Sequence, residues 1–164
     1  MVHHNCTKII NLFPIQSKPE PAVLDSLSVY LGKSYGQYTF NPSQSSINAL
    51  TSTSSFDIIQ NEELRKLLIS WNDLVEDYQE EEINSSDYVV NLYDPFLAKH
   101  FDFSFDFKDP RNNFETLQTL EFEYLIKTRK WMVDQILVSS GELKILQYTL
   151  DKIIELTETS WHHL

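Results

Sequence analysis

Cysteine, glycine and basic residues are scarce in this 164-residue chain, and each shortage removes a class of function. A single cysteine, Cys6, cannot close an internal disulfide, so cysteine usage says nothing about the redox compartment. The three glycines, Gly32, Gly36 and Gly141, build no phosphate-cradling loop, which argues against a nucleotide site. Only 13 basic residues stand against 24 acidic ones, and the resulting charge of -11 repels phosphate backbones and anionic headgroups. Nucleic-acid binding and direct lipid binding are therefore not expected. Lys127, Arg129 and Lys130 form the one basic cluster and read as a solvated helix face. No window approaches the run of about 20 apolar residues that crosses a bilayer, and no charged start leads into an apolar stretch as in a signal peptide. As given, the chain is expected to be soluble.

What is present is helical periodicity. Leu64, Leu67, Leu68, Trp71, Leu74, Val75 and Tyr78 recur in steps of three and four, which puts all seven on one face of a helix. Asn61 is placed to cap that helix, and Glu62 and Glu63 sit where the helix dipole favours negative charge. Around it, Phe40-Asn41-Pro42, Ile47-Asn48-Ala49-Leu50 and Ile58-Ile59-Gln60-Asn61-Glu62-Glu63-Leu64-Arg65 resemble an uncharacterised bacterial family of single-pass membrane-anchored proteins with a helical extracytoplasmic domain. Where that family carries a Ser-Gly pair, this chain has Thr53-Ser54-Ser55-Phe56, and a weaker likeness extends through Thr119–Glu123. The resemblance implies a helical architecture and a location on the periplasmic side of a bacterial membrane, and it transfers no functional residues. Val2, Cys6, Ile9 and Phe13 step at helical spacing from the second residue with no cap before them. An anchor removed or lying upstream would explain this, as would a short helix that simply begins at Met1.

Elsewhere the spacing predicts a loop from Pro14 to Pro21, a helix carrying Leu24, Leu27, Tyr30 and Leu31 that stops at Gly32, and a short helix after Asn41-Pro42 bearing Ile47 and Leu50. The Gln79-Glu80-Glu81-Glu82 run reads as a solvated helix end or linker, since calcium loops need alternating carboxylates and a turn-forming glycine. A further helix is expected to carry Ile83, Val90, Tyr93 and Leu97, kinked or broken at Pro95. Asn112 with Glu115 approximates a capping box. Beyond it Phe122, Leu125, Met132, Ile136, Leu143, Leu146, Leu150 and Ile153 follow one heptad seam, as in a coiled coil. One helix from about Phe114 to Glu158, some 65 Å long at about 1.5 Å per residue, is favoured. A break at Ser139-Ser140-Gly141 is the alternative.

The segment Phe101-Asp102-Phe103-Ser104-Phe105-Asp106-Phe107-Lys108 alternates strictly, the pattern of a half-buried extended strand. It reads either as a strap laying four rings onto a helical core or as an aromatic edge for a partner, which makes Phe101, Phe103, Phe105 and Phe107 the candidate partner-binding residues. Catalytic candidates are thin. His100 is the one interior histidine, and Glu121 and Glu123 point to opposite sides of a helix. Antiparallel pairing of the first and last helices would gather His3, His4, Cys6, His162 and His163, but these lack the closed ligand spacing of a structural zinc site, so no metal and no cofactor is expected.

The expectation is therefore an all-α single domain over residues 1–164: an antiparallel helical bundle with one long C-terminal helix and a short extended Phe-rich segment. Its expected function is non-enzymatic, a binding, sensing or scaffolding module with an unknown protein partner and a possible homodimer through the C-terminal helix. A hydrolase or metal-dependent enzyme using the His100 region or the terminal His/Cys cluster is the alternative.

Overall fold

A computed structural model describes residues 1–37 and 39–161 of the chain. The protein is all-α. Its helices are α1 (Val2–Ile10), α2 (Pro21–Gly32), α3 (Ser45–Thr51), α4 (Glu62–Tyr88), α5 (Asp94–His100), α6 (Leu120–Asp134) and α7 (Glu142–Trp161). Short 3-10 turns cover Ser54–Ile58 and Phe114–Gln118, and π turns cover Val89–Tyr93 and Gln135–Ser139. No helix among the described residues is long and apolar enough to cross a membrane.

Contacts divide the chain into two compact units, where length alone suggests one domain. The first comprises Met1–Tyr38 and Glu82–Gln135; the second comprises Thr39–Glu81 and Ile136–Leu164. In the first unit α1 packs on α6 and on α2, and the core runs from Cys6, Ile9, Leu27 and Leu31 through Tyr93 and Leu97 to Leu117, Phe122 and Ile126. The helical spacing of Val2, Cys6 and Ile9 is thus used, with α6 as the partner, while the last helix belongs to the other unit. The second unit holds two smaller clusters, one of Trp71, Val75, Tyr78 and Leu146, the other of Phe56, Leu64 and Leu68.

Helix α4 begins as its sequence directs: the Asn61 side chain accepts from the Leu64 amide at 3.0 Å, and Leu64, Leu68, Trp71, Val75 and Tyr78 are buried. It does not stop at the acidic run. The helix continues through Glu80–Glu82 to Tyr88, with Glu82 itself buried. Pro95 then enters the first turn of α5, where its missing amide costs no hydrogen bond, and the backbone adjusts beforehand through the π turn at Val89–Tyr93. That wider turn shifts the buried face. Val89, Tyr93 and Leu97 point inward as a result, while Ile83 and Val90 of the predicted stripe are exposed.

The single long C-terminal helix does not form. A 3-10 turn over Phe114–Gln118 precedes α6, whose cap is Thr119, accepting from the Phe122 amide at 3.2 Å. At its far end α6 widens into the Gln135–Ser139 π turn, and Gly141 adopts φ +78°, a left-handed conformation that ends the helix and that glycine reaches without a Cβ penalty. Two helices, α6 and α7, share the heptad seam. Within it Phe122 and Leu125 serve the first core, Leu146 serves the second, and Leu150, 40% exposed, is the most open member.

Candidate functional site

The Phe-rich segment lies in the first unit and is not a strand. Its polar residues hook the backbone into turns at two-residue intervals. Asp102 Oδ1 accepts from the Ser104 amide at 3.0 Å, Ser104 Oγ from the Asp106 amide at 3.1 Å, Asp106 Oδ1 from the Lys108 amide at 2.9 Å, and Asp109 Oδ1 from the Arg111 amide at 2.9 Å. These are Asx and Ser turns, and they have the same two-residue period as a strand. Buried Asn112 ties the loop across, accepting from the Asp102 amide at 2.6 Å and donating to Asp102 Oδ1 at 3.0 Å and to the Asp106 carbonyl at 2.8 Å. Asn113, rather than Asn112, supplies the following cap, accepting from the Glu115 amide at 3.0 Å. Arg111 sets its guanidinium between Asp102 at 2.7 Å and Asp109 at 2.6 Å. Hydrogen bonds from Ser104 and Asn112 hold the Asp102 carboxyl below its ordinary range, and those from Arg111 bring Asp109 to about 2.

The turns divide the four candidate phenylalanines. Phe101, Phe105 and Phe107 are buried in the first core, linked ring to ring at 5.9 Å (Phe101–Phe105) and 6.1 Å (Phe101–Phe107). Each contributes about 2 kcal/mol by leaving water. Phe103 points the other way and is 86% exposed. Phe105 has φ +53°, a conformation that a residue with a Cβ rarely adopts and that the surrounding turns impose.

Phe103 overhangs a recess of about 190 Å³. Its walls are Tyr35, Leu97, Phe101, Phe103 and Phe105, and its rim carries Asp94 and Asp102. The Tyr35 ring meets Phe103 nearly edge-on at 6.4 Å and Phe105 at 6.2 Å. Tyr35 is held from beneath by Arg129, which is 3% exposed rather than solvated with Lys127 and Lys130. Its Nε donates to the Ser34 carbonyl at 3.2 Å, one terminal nitrogen to the Gly36 carbonyl at 2.7 Å, and the other to Ser85 Oγ. Burial opposes the charge on Arg129 and also pushes the Tyr93 hydroxyl well above its usual range; that hydroxyl shares a hydrogen bond of 2.7 Å with Ser34 Oγ. Both carbonyls flanking Tyr35 are therefore fixed by one buried guanidinium.

Two larger grooves lie on the same unit. One, of about 580 Å³, runs over Pro19, Pro21, Leu24 and Phe107 and is crossed by the Lys108–Asp25 ion pair at 3.0 Å. The other, of about 430 Å³, lies along Pro110–Glu115. The first mixes both signs of charge, and neither has the fixed ring geometry of the recess.

Among the described residues the catalytic and metal candidates are not brought together. His100 Nδ1 lies 3.3 Å from Thr116 Oγ1, and its ring packs on Phe96 at 4.8 Å. His3 pairs with Asp134 at 2.7 Å, and the Cys6 thiol is buried and pushed up to about 11, which keeps it protonated and unreactive. His162 and His163 lie outside the described residues. Among the described residues no three His, Cys, Asp or Glu side chains are grouped to hold a metal ion.

Tyr35 and Asp94 are site residues that spacing did not single out, while Asn112 reads in the sequence as a cap and Arg129 as part of a solvated basic cluster. The sign that could have exposed Arg129 is its place as a polar interruption of the apolar seam. Compared with protein-family models, curated proteins and solved structures, the chain finds no match.

Proposed function

We propose that this chain is a non-enzymatic binding module, acting in sensing or scaffolding on the extracytoplasmic side of a bacterial membrane. The observation that carries this reading is Phe103, a large ring 86% exposed on a loop whose flanking polar residues are hydrogen-bonded to its own backbone. An exposed aromatic on a loop already ordered loses little conformational entropy on binding, which is the character of an interface anchor. The sequence likeness over Phe40–Leu68 supports the location, and the charge of -11 favours a protein or small-molecule partner over a nucleic acid.

The test uses the chain as bait against detergent-solubilised membranes of its source cell, with Phe103→Ser as the control. Phe103 alone is the residue to change, because Phe105 is only 4% exposed and its loss would disturb the core. The expected outcome is a partner retained by the native chain and lost by Phe103→Ser while both unfold at the same temperature. A partner held equally by both, or none above background, would count against the reading.

A further inference from the structure

We propose that the recess beneath Phe103 binds a quaternary ammonium group. This inference rests on the binding-module reading and names the chemistry of the ligand at the same site. Four aromatic rings, those of Tyr35, Phe101, Phe103 and Phe105, wall the recess, and a ring presents its negative quadrupole face to a cation. Asp94, on the rim, forms no ion pair with another described residue, whereas Asp102 is already bridged to Arg111. A carboxylate without a counterion beside an aromatic notch lacks a cation, and it excludes anions by like charge.

Size and hydrogen bonding narrow the class. At about 190 Å³ the recess is below the 300–1,000 Å³ or so typical of whole drug-sized ligands, so it suits a compact head group. A primary ammonium carries three donors that need acceptors; here these are confined to the carboxylates of Asp94 and of Asp102, already bridged to Arg111, and the Tyr35 hydroxyl, since Leu97, Ala98 and the phenylalanine rings offer none. A quaternary ammonium has no donors. It needs only apolar contact, aromatic rings and a nearby carboxylate, and the lining of this recess includes all three. The geometry also gives Phe103 a purpose: its ring stands at 70° to Tyr35 and forms the open wall that a bound quaternary ammonium would cover.

The experiment is a titration of the full chain with choline at constant ionic strength, followed by NMR at the amides of Tyr35, Asp94, Ala98 and Phe103. A parallel titration uses 3,3-dimethyl-1-butanol, the uncharged carbon isostere of choline. The expected result is saturable shifts with choline and weaker binding of the isostere. Asp94→Asn should weaken choline binding about two- to fivefold, and Phe103→Leu, which keeps bulk but removes the ring, by a similar about two- to fivefold factor. Equal binding of choline and the isostere, or an unchanged affinity in Asp94→Asn and Phe103→Leu, would overturn the cation assignment while leaving the binding module intact. Absence of any saturable shift would overturn this inference alone if Phe103→Ser still loses its partner in the bait experiment, and both readings if it does not.

Discussion

The first unit carries a guanidinium through its core and gives Arg129 three oxygen acceptors, those of Ser34, Gly36 and Ser85. The second unit treats a charge near its core differently. The Glu142 carboxyl, at the start of α7, is raised above its ordinary range by burial and by Glu81, Asp77 and Glu80, and its Oε2 has no hydrogen-bond partner among the described residues. In one unit a buried charge fixes a loop; in the other a partly exposed carboxylate meets charges of its own sign. A cation meeting backbone carbonyls organises structure because the acceptors cannot move away, whereas like carboxylates leave a standing repulsion. The functional candidate lies in the unit where the charge is satisfied.

The comparison can be broken most sharply at Phe105. Phe105→Ser should cost about 4 kcal/mol in urea unfolding because it removes a core ring, whereas Phe103→Ser should stay within about 0.5 kcal/mol. Equal effects would refute the division of the rings. Arg129→Met comes next. It leaves the Ser34 and Gly36 carbonyls without their donor, and a loss of about 3 kcal/mol is expected together with broadened Tyr35 resonances.

The smallest effects are in the pH response, and the two units should respond with opposite sign. Because the folded-state pKa of Glu142 is raised, its ionised form destabilises the native state above that pKa, and the cost is relieved as pH falls from neutral. Glu142→Gln should therefore be more stable than the native chain at pH 7 and should lack that gain on acidification. Asp102 and Asp109 are lowered, so their stabilising contribution is present above about pH 4 and is lost as pH falls towards about 2, the value of Asp109. Amide exchange across pH 7 to 2 would show α7 tightening first and the 102–112 loop opening later. A loop that opens above pH 5 would contradict this order.

How much was legible varied with the cause of each pattern. Asn61 and the Leu64–Tyr78 stripe announced α4 because capping and amphipathicity are local properties. The Glu80–Glu82 run misread as an end because charge density suggests solvent, although a helix can carry such a run when its other face is packed. The alternation of Phe101–Lys108 was real but had a second possible origin, since side chains bonding two residues ahead give the same period as a strand. The unbroken heptad register favoured a continuous helix through Gly141, and only its left-handed φ decided for two helices. The recess was not legible at all, because it joins Tyr35 to Phe103 through a tertiary contact that no window of sequence contains.

The clamp on either side of Tyr35 has an evolutionary consequence. Arg129 grips the main-chain oxygens of Ser34 and Gly36, which every amino acid possesses, and makes no demand on the side chain between them. A substitution at position 35 therefore leaves these backbone hydrogen bonds in place and removes only the packing of the ring on Phe103 and Phe105. Descendants of this sequence could trade the tyrosine for another ring of similar bulk and acquire a new ligand preference while inheriting the same backbone frame.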